Sequence, residues 1–112
     1  MTSDLLRESE LPVRDGVIQR FEIAMDVARQ LTVRVLKEVF GRDEAPALKD
    51  TFREAAKLGL VADAEAWIGH VNARNRTSHT YDSEIAMPVF AHVPSFVPDA
   101  HDLLARLNPH VA

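Results

Sequence analysis

Apolar residues recur at alternating steps of four and three along the first third of the chain. Val17, Phe21, Ala24, Ala28, Leu31 and Val35 keep that rhythm between Asp15 and Phe40, and Ile18, Met25, Leu36 and Val39 widen the stripe. This is the spacing of a helix packed into a bundle. Arg20, Glu22, Asp26, Arg29 and Lys37 supply a polar side, and Gly41 is a stop signal. Ile23, Val27 and Val33 fall off the main stripe, so a second apolar contact is expected there, for instance with a partner subunit. Residues 1–12 precede the pattern and are expected as a flexible or short leader.

Three more helices follow. GRDEAP is a connector, and Pro46 suits the first turn of a second helix over 47–58. That helix turns Leu48, Phe52, Ala55, Ala56 and Leu58 inward and ends at Gly59. Asp63 caps a third, ADAEAWIGHVNAR, whose apolar side is Ala64, Trp67, Ile68 and Val71. Asp82 caps a fourth. Pro88, Pro94 and Pro98 interrupt that last stretch, and an interior proline costs a helix about 3 kcal/mol. A kinked or broken helix near 83–93 and a short terminal one near 98–107 are therefore expected. No strand alternation, internal repeat or low-complexity segment competes. The pattern predicts an all-α, up-and-down bundle of about four helices in one domain spanning 1–112.

Composition narrows the function classes. The chain has 112 residues, 46% apolar and 27% charged, the profile of a folded soluble domain. Seventeen acids against 13 bases leave a net charge of −4, which argues against a duplex-DNA binder held by bulk charge. The absence of cysteine rules out disulfides and thiol chemistry and fits a cytoplasmic setting. No apolar run approaches the roughly 18 residues that cross a bilayer, and no signal-peptide profile opens the chain, so no membrane partner is expected.

Two finer counts point to a site. Ten of the 13 bases are arginine, the residue suited to planar, bidentate contact with phosphate or carboxylate. Between Glu65 and Asp82 there is no acid, yet that window holds His70, Arg74, Arg76 and His79. On a regular helix, Trp67, Val71, Arg74, Ser78 and Tyr81 share one stripe, while His79 lies about 140° from Arg74, beside Asn72 and Asn75. Asn75, one turn earlier, can orient the His79 ring. For Arg74 and His79 to act together, either the helix breaks near Thr77 and Ser78 or the two meet across a symmetric dimer.

The chemistry of such a pair is specific. Histidine moves protons near neutral pH, and arginine stabilises a phosphoryl oxygen as negative charge develops. No carboxylate cluster suggests a Mg²⁺ cage, and neither a metal nor any other cofactor is assigned. Cleavage of RNA by its own 2′-hydroxyl needs only an acid–base residue and a phosphate clamp. A purely structural role stands beside this one: Arg74 pairs with an acid from another helix, His79 ends its own, and Tyr81 is a core tyrosine with its hydroxyl at the rim. Trp67 reads as packing. His70 faces away from His79, and His92, His101 and His110 show no ligand-like spacing. Asp50, Arg53, Glu54 and Lys57 read as a solvated face.

The run R-N-R-T-S-H-T-Y, residues 74–81, resembles the HEPN motif: an arginine, four to six residues and a histidine, with a polar residue right after the arginine. Here these are Arg74, Asn75 and His79, and Tyr81 completes the longer form R-x4-H-x-Y. RDGVIQRFE (14–22) and the run from Phe52 to Asp82 resemble the first long helix and the middle section of the nucleotidyltransferase substrate-binding branch. The resemblance covers about residues 13–107. It implies a bundle that dimerises through its motif helices, so that two motifs form one composite active site. It further implies a metal-independent ribonuclease of a toxin–antitoxin pair, with an RNA substrate. Arg74 would bind the scissile phosphate, His79 would be the acid–base residue and Asn75 would support its ring, with Arg76 and Ser78 as substrate-binding neighbours. Tyr81 would receive AMP from a cognate minimal nucleotidyltransferase antitoxin. The resemblance also leaves open a non-catalytic subunit that presents a nucleotide or substrate to that partner. The chain departs from the family in the short stretch before RDGVIQRFE, in the aromatic residue replaced within EIAMDVARQL, and in its prolines.

Overall fold

The four-and-three apolar rhythm builds one long helix, α1 (Thr2–Glu38). The computed structural model describes residues 2–43, 45 and 47–111. Pro46, expected in the first turn of the second helix, lies outside the described residues. On α1 the buried stripe is Ile18, Phe21, Met25, Ala28, Thr32, Val35 and Leu36. Val17, Ala24 and Leu31, expected at its centre, are half-buried at its edge. Thr32 is tolerated in the stripe because its hydroxyl donates to the Ala28 carbonyl at 2.7 Å. The helix also runs back through the stretch expected as a leader, with Pro12 inside it. At about 1.5 Å per residue, 37 helical residues span about 55 Å, which accounts for the 57 Å long axis of the molecule.

The remaining helices are α2 (Leu48–Lys57), α3 (Ala64–Arg76) and α4 (Ser83–Leu107), and no strand occurs among the described residues. Gly59 takes φ +76° after α2, and the amides of Gly59 and Leu60 then close back on the carbonyls of Ala56 and Ala55. Asp63 accepts from the amides of Glu65 (3.0 Å) and Ala66 (3.3 Å) at the start of α3. Asp82 accepts from Glu84 at 2.9 Å at the start of α4. Both caps fall where the sequence puts them.

Each helix packs on the next, and α4 returns against α1 to close a four-helix bundle. Aromatic rings tie it together. Phe52 of α2 stacks on Trp67 of α3 at 4.7 Å, and Phe96 of α4 meets both Trp67 (5.7 Å) and Phe21 of α1 (5.0 Å) edge-on. Burying each such side chain stabilises the fold by about 1.5–3 kcal/mol.

Of the kink or break expected near 83–93, the break is absent, and so is the separate terminal helix near 98–107. α4 is one helix of 25 residues that contains Pro88, Pro94 and Pro98. All three prolines are exposed, while Ala86, Val89, Phe96, Leu103 and Leu107 are buried. A proline on the wet face leaves its freed carbonyl to water, and packing on the opposite face holds the helix together. No helix among the described residues is long and apolar enough to cross a membrane.

Candidate functional site

α3 stops at Arg76, and a 3₁₀ turn, Thr77–His79, carries the chain toward the Asp82 cap. The break expected near Thr77 and Ser78 is therefore present. Thr77 makes it: its buried hydroxyl donates to the Arg74 carbonyl at 2.7 Å and accepts from Arg74 Nη1 at 2.9 Å. The same side chain ends the helix and anchors the arginine.

Arg74 is half-buried and turned toward α1. Its Nε and Nη2 face the two carboxylate oxygens of Asp26, each at 3.4 Å, and Nη1 lies 3.6 Å from Glu22. The fork geometry is that of bidentate carboxylate recognition, the same geometry that receives a phosphate. The pairing with acids from another helix is thus real. It also supplies what the acid-free window concealed, since Glu22 and Asp26 stand one turn apart on α1.

His79 stands in the open, its Nδ1 3.3 Å from the Tyr81 hydroxyl. Tyr81 is 85% exposed, so it is not the core tyrosine that its place on the helical stripe suggests. The break in the helix turns it outward. The expected bond from Asn75 to the His79 ring is not formed. Asn75 is exposed, and its backbone carbonyl instead accepts from the Ser78 hydroxyl at 3.4 Å. Arg76 and Ser78 are exposed as well. No hydrogen bond or ion pair joins Arg74 to His79 within the chain. Among the described residues, no group of three or more acids or histidines is placed to hold a metal ion.

Sequence spacing misses a second cluster. His70, which by spacing merely faces away from His79, is 2% exposed and bonded at both ring nitrogens, to His92 and to Asp99. These residues lie 22 and 29 positions from His70, too far apart for a local pattern to find. By contrast, Arg53 with Asp50 (2.9 Å) and Lys57 with Glu54 (3.9 Å) lie on the polar face expected of them, paired three residues apart rather than four.

Comparison with known proteins follows the same lines. A family model described as nucleotidyltransferase substrate binding protein like matches residues 2–109. A protein of Haemophilus influenzae named probable ribonuclease HepT is 37% identical over 96 residues, which cover 83% of this chain and 66% of that protein. The match thus takes in just under two thirds of that relative's length. A solved Haemophilus influenzae structure, described as showing the fold of a substrate binding domain of a nucleotidyltransferase, superimposes with a TM-score of 0.80 at 32% identity. It covers 91% of this chain and 78% of its own. A crystal structure from Thermus thermophilus gives a TM-score of 0.78, also at 32% identity, covering 84% and 80%.

Proposed function

We propose that this chain, which belongs to the nucleotidyltransferase substrate binding protein like family of HEPN domains, is a toxin-type endoribonuclease that cuts RNA without a metal. The observation that carries the reading is the end of α3, where an exposed histidine follows an arginine whose fork is held by Thr77 and by two partly exposed carboxylates. The name of the Haemophilus relative supports the same reaction class.

In the proposed reaction His79 takes the proton of a ribose 2′-hydroxyl. The 2′-oxygen attacks the adjacent phosphorus, and the bond to the 5′-oxygen breaks. That oxygen leaves with the proton that His79 gives back, producing a 2′,3′-cyclic phosphate and a 5′-hydroxyl end. Arg74 exchanges its carboxylate partners for the phosphoryl oxygens and stabilises their growing charge. Arg76 and Ser78 contact the flanking backbone, and Asn75 orients the His79 ring once RNA is bound.

A homodimer completes the site. No hydrogen bond or ion pair joins Arg74 to His79 within one chain, and Ile23 (57% exposed) and Val27 (46% exposed) leave an apolar strip on α1 beside Glu22 and Asp26. Two motifs facing each other make one composite cleft. Such a cleft concentrates positive charge in a protein that is acidic elsewhere and acts in the cytoplasm.

Tyr81 is the point of control. Its exposed hydroxyl is open to a cognate minimal nucleotidyltransferase, which attaches AMP to it as antitoxin. The added phosphodiester would pair with Arg74 or Arg76 and occupy the place of the RNA phosphate. After co-expression with that partner, mass spectrometry should find AMP on the peptide containing Tyr81. An unmodified peptide beside an active partner would refute this step.

The reaction itself is tested with purified protein in EDTA. Wild type should cut RNA, and Arg74→Ala and His79→Ala should not. Equal inertness of wild type and His79→Ala would favour the other reading, a non-catalytic subunit that presents a nucleotide to the nucleotidyltransferase.

A further inference from the structure

Within a largely apolar core, one polar chain runs between α3 and α4. Asp99 Oδ2 lies 2.6 Å from His70 Nε2, and His70 Nδ1 lies 2.7 Å from His92 Nε2. The rings of Trp67 and Phe96 stand edge-on to His70 at 5.1 and 5.3 Å. Phe21 of α1 stands edge-on to His92 at 6.2 Å. No buried side-chain nitrogen or oxygen among the described residues lacks a partner. His92 Nδ1 makes no hydrogen bond, so it is not fully buried. The chain thus leads from a partly exposed carboxylate, through a buried ring, to a half-buried one.

The contacts dictate the protons. A carboxylate accepts only, so His70 Nε2 carries the hydrogen toward Asp99. A neutral His70 then offers a bare Nδ1, and His92 Nε2–H donates to it. One further proton leaves every bond in place: His70, beside Asp99, becomes the cation and its Nδ1–H donates to His92 Nε2, while His92 then carries its hydrogen on Nδ1. The two rings share it, with Asp99 stabilising it. A second proton puts a hydrogen on both nitrogens of the 2.7 Å contact. Two donors then face each other between two positive rings, and the bond is lost.

We propose that Asp99, His70 and His92 form an acid-sensitive latch between α3 and α4, closed while the two rings share no more than one proton and released by the second. The latch is independent of the ribonuclease reading. It fastens the helix that carries Arg74 to the helix that follows the Tyr81 turn, so its release loosens the frame of that site.

The charged groups acting on His92 agree with this assignment. Burial, then His70 and Arg76 of α3, hold its basicity below the ordinary histidine value of 6.5, and Asp99 on its own helix opposes them. Toward α1 it faces the uncharged ring of Phe21. An unfolded chain therefore takes up the His92 proton first as pH falls. Stability is full above about pH 6.5 and declines below it, toward the depressed folded value.

His92→Gln tests the latch, because a glutamine amide keeps a donor near the Nε2 position but does not titrate. Thermal unfolding, followed by the emission of Trp67, the single tryptophan, is compared at pH 7.5 and pH 5. Between those two pH values wild type should lose more of its Tm than the variant does. Parallel losses would overturn the proposal. Should His92→Gln fail to fold, ring ¹⁵N spectra of the wild type decide instead. Both rings should carry hydrogen on Nε2 and not on Nδ1 at pH 7.5, with His92 titrating below 6.5. Hydrogen on Nδ1 of His70 at pH 7.5, or a His92 ring titrating at or above 6.5, would overturn it.

Discussion

Arg74 shows how one side chain serves both the fold and the proposed chemistry. Thr77 and two acids of α1 occupy its donors, so an incoming phosphate has to compete with Asp26 for the same fork. A partly exposed pair of this kind is worth about 0.2–1 kcal/mol. Asp26→Asn should therefore tighten RNA binding by up to about fivefold. Asp102→Asn removes an equal charge from the Arg106 pair on α4 and serves as the control. Binding titrations of the two variants should separate them; equal gains would mean that only net charge had changed. Arg74 is legible in the sequence as a candidate, but its partners are not. The absence of acids from 66 to 81 says nothing of the acids that α1 folds into that space.

At the scale of elements, short-range signals carry well. Asp63, Asp82 and Gly59 act within a turn of themselves, and each ends or begins a helix where the sequence suggests. The prolines carry less, because their cost depends on which way they face, and that is settled only by packing. Pro12, Pro88, Pro94 and Pro98 are all exposed, and both helices continue through them. Pro98→Ala should restore an amide donor and remove a steric contact on that wet face. An interior proline costs about 3 kcal/mol in a helix, and part of this is offset by the stiffness it gives the unfolded chain. The expected result is a Tm higher by roughly 4 °C or more, measured by circular dichroism. A lower Tm would mean that α4 depends on the proline. The latch between α3 and α4 is beyond sequence reading for a different reason: side chains 22 and 29 residues apart meet only after both helices have packed.

The whole molecule joins a well-made core to a site that is proposed to close only in a dimer. Phe52 is fully buried and stacked on Trp67, so Phe52→Ala should cost about 3–5 kcal/mol, read from denaturant unfolding. A cost below about 1 kcal/mol would contradict the packing described. The proposed composite cleft requires assembly. Light scattering should give twice the chain mass of 12.5 kDa, and a monomer at working concentrations would argue against a shared site. Net charge, read alone, points away from nucleic acid. It describes the average surface, whereas Arg74, Arg76 and His79 describe one end of one helix. The central claim is that this end cuts RNA through the RNA's own 2′-hydroxyl. The most direct test sets an RNA beside its fully 2′-O-methylated copy, both with wild-type protein in EDTA. The account predicts that only the unmodified strand is cut and that its fragments end in 2′,3′-cyclic phosphate. Cleavage of both strands, or of neither, would contradict it.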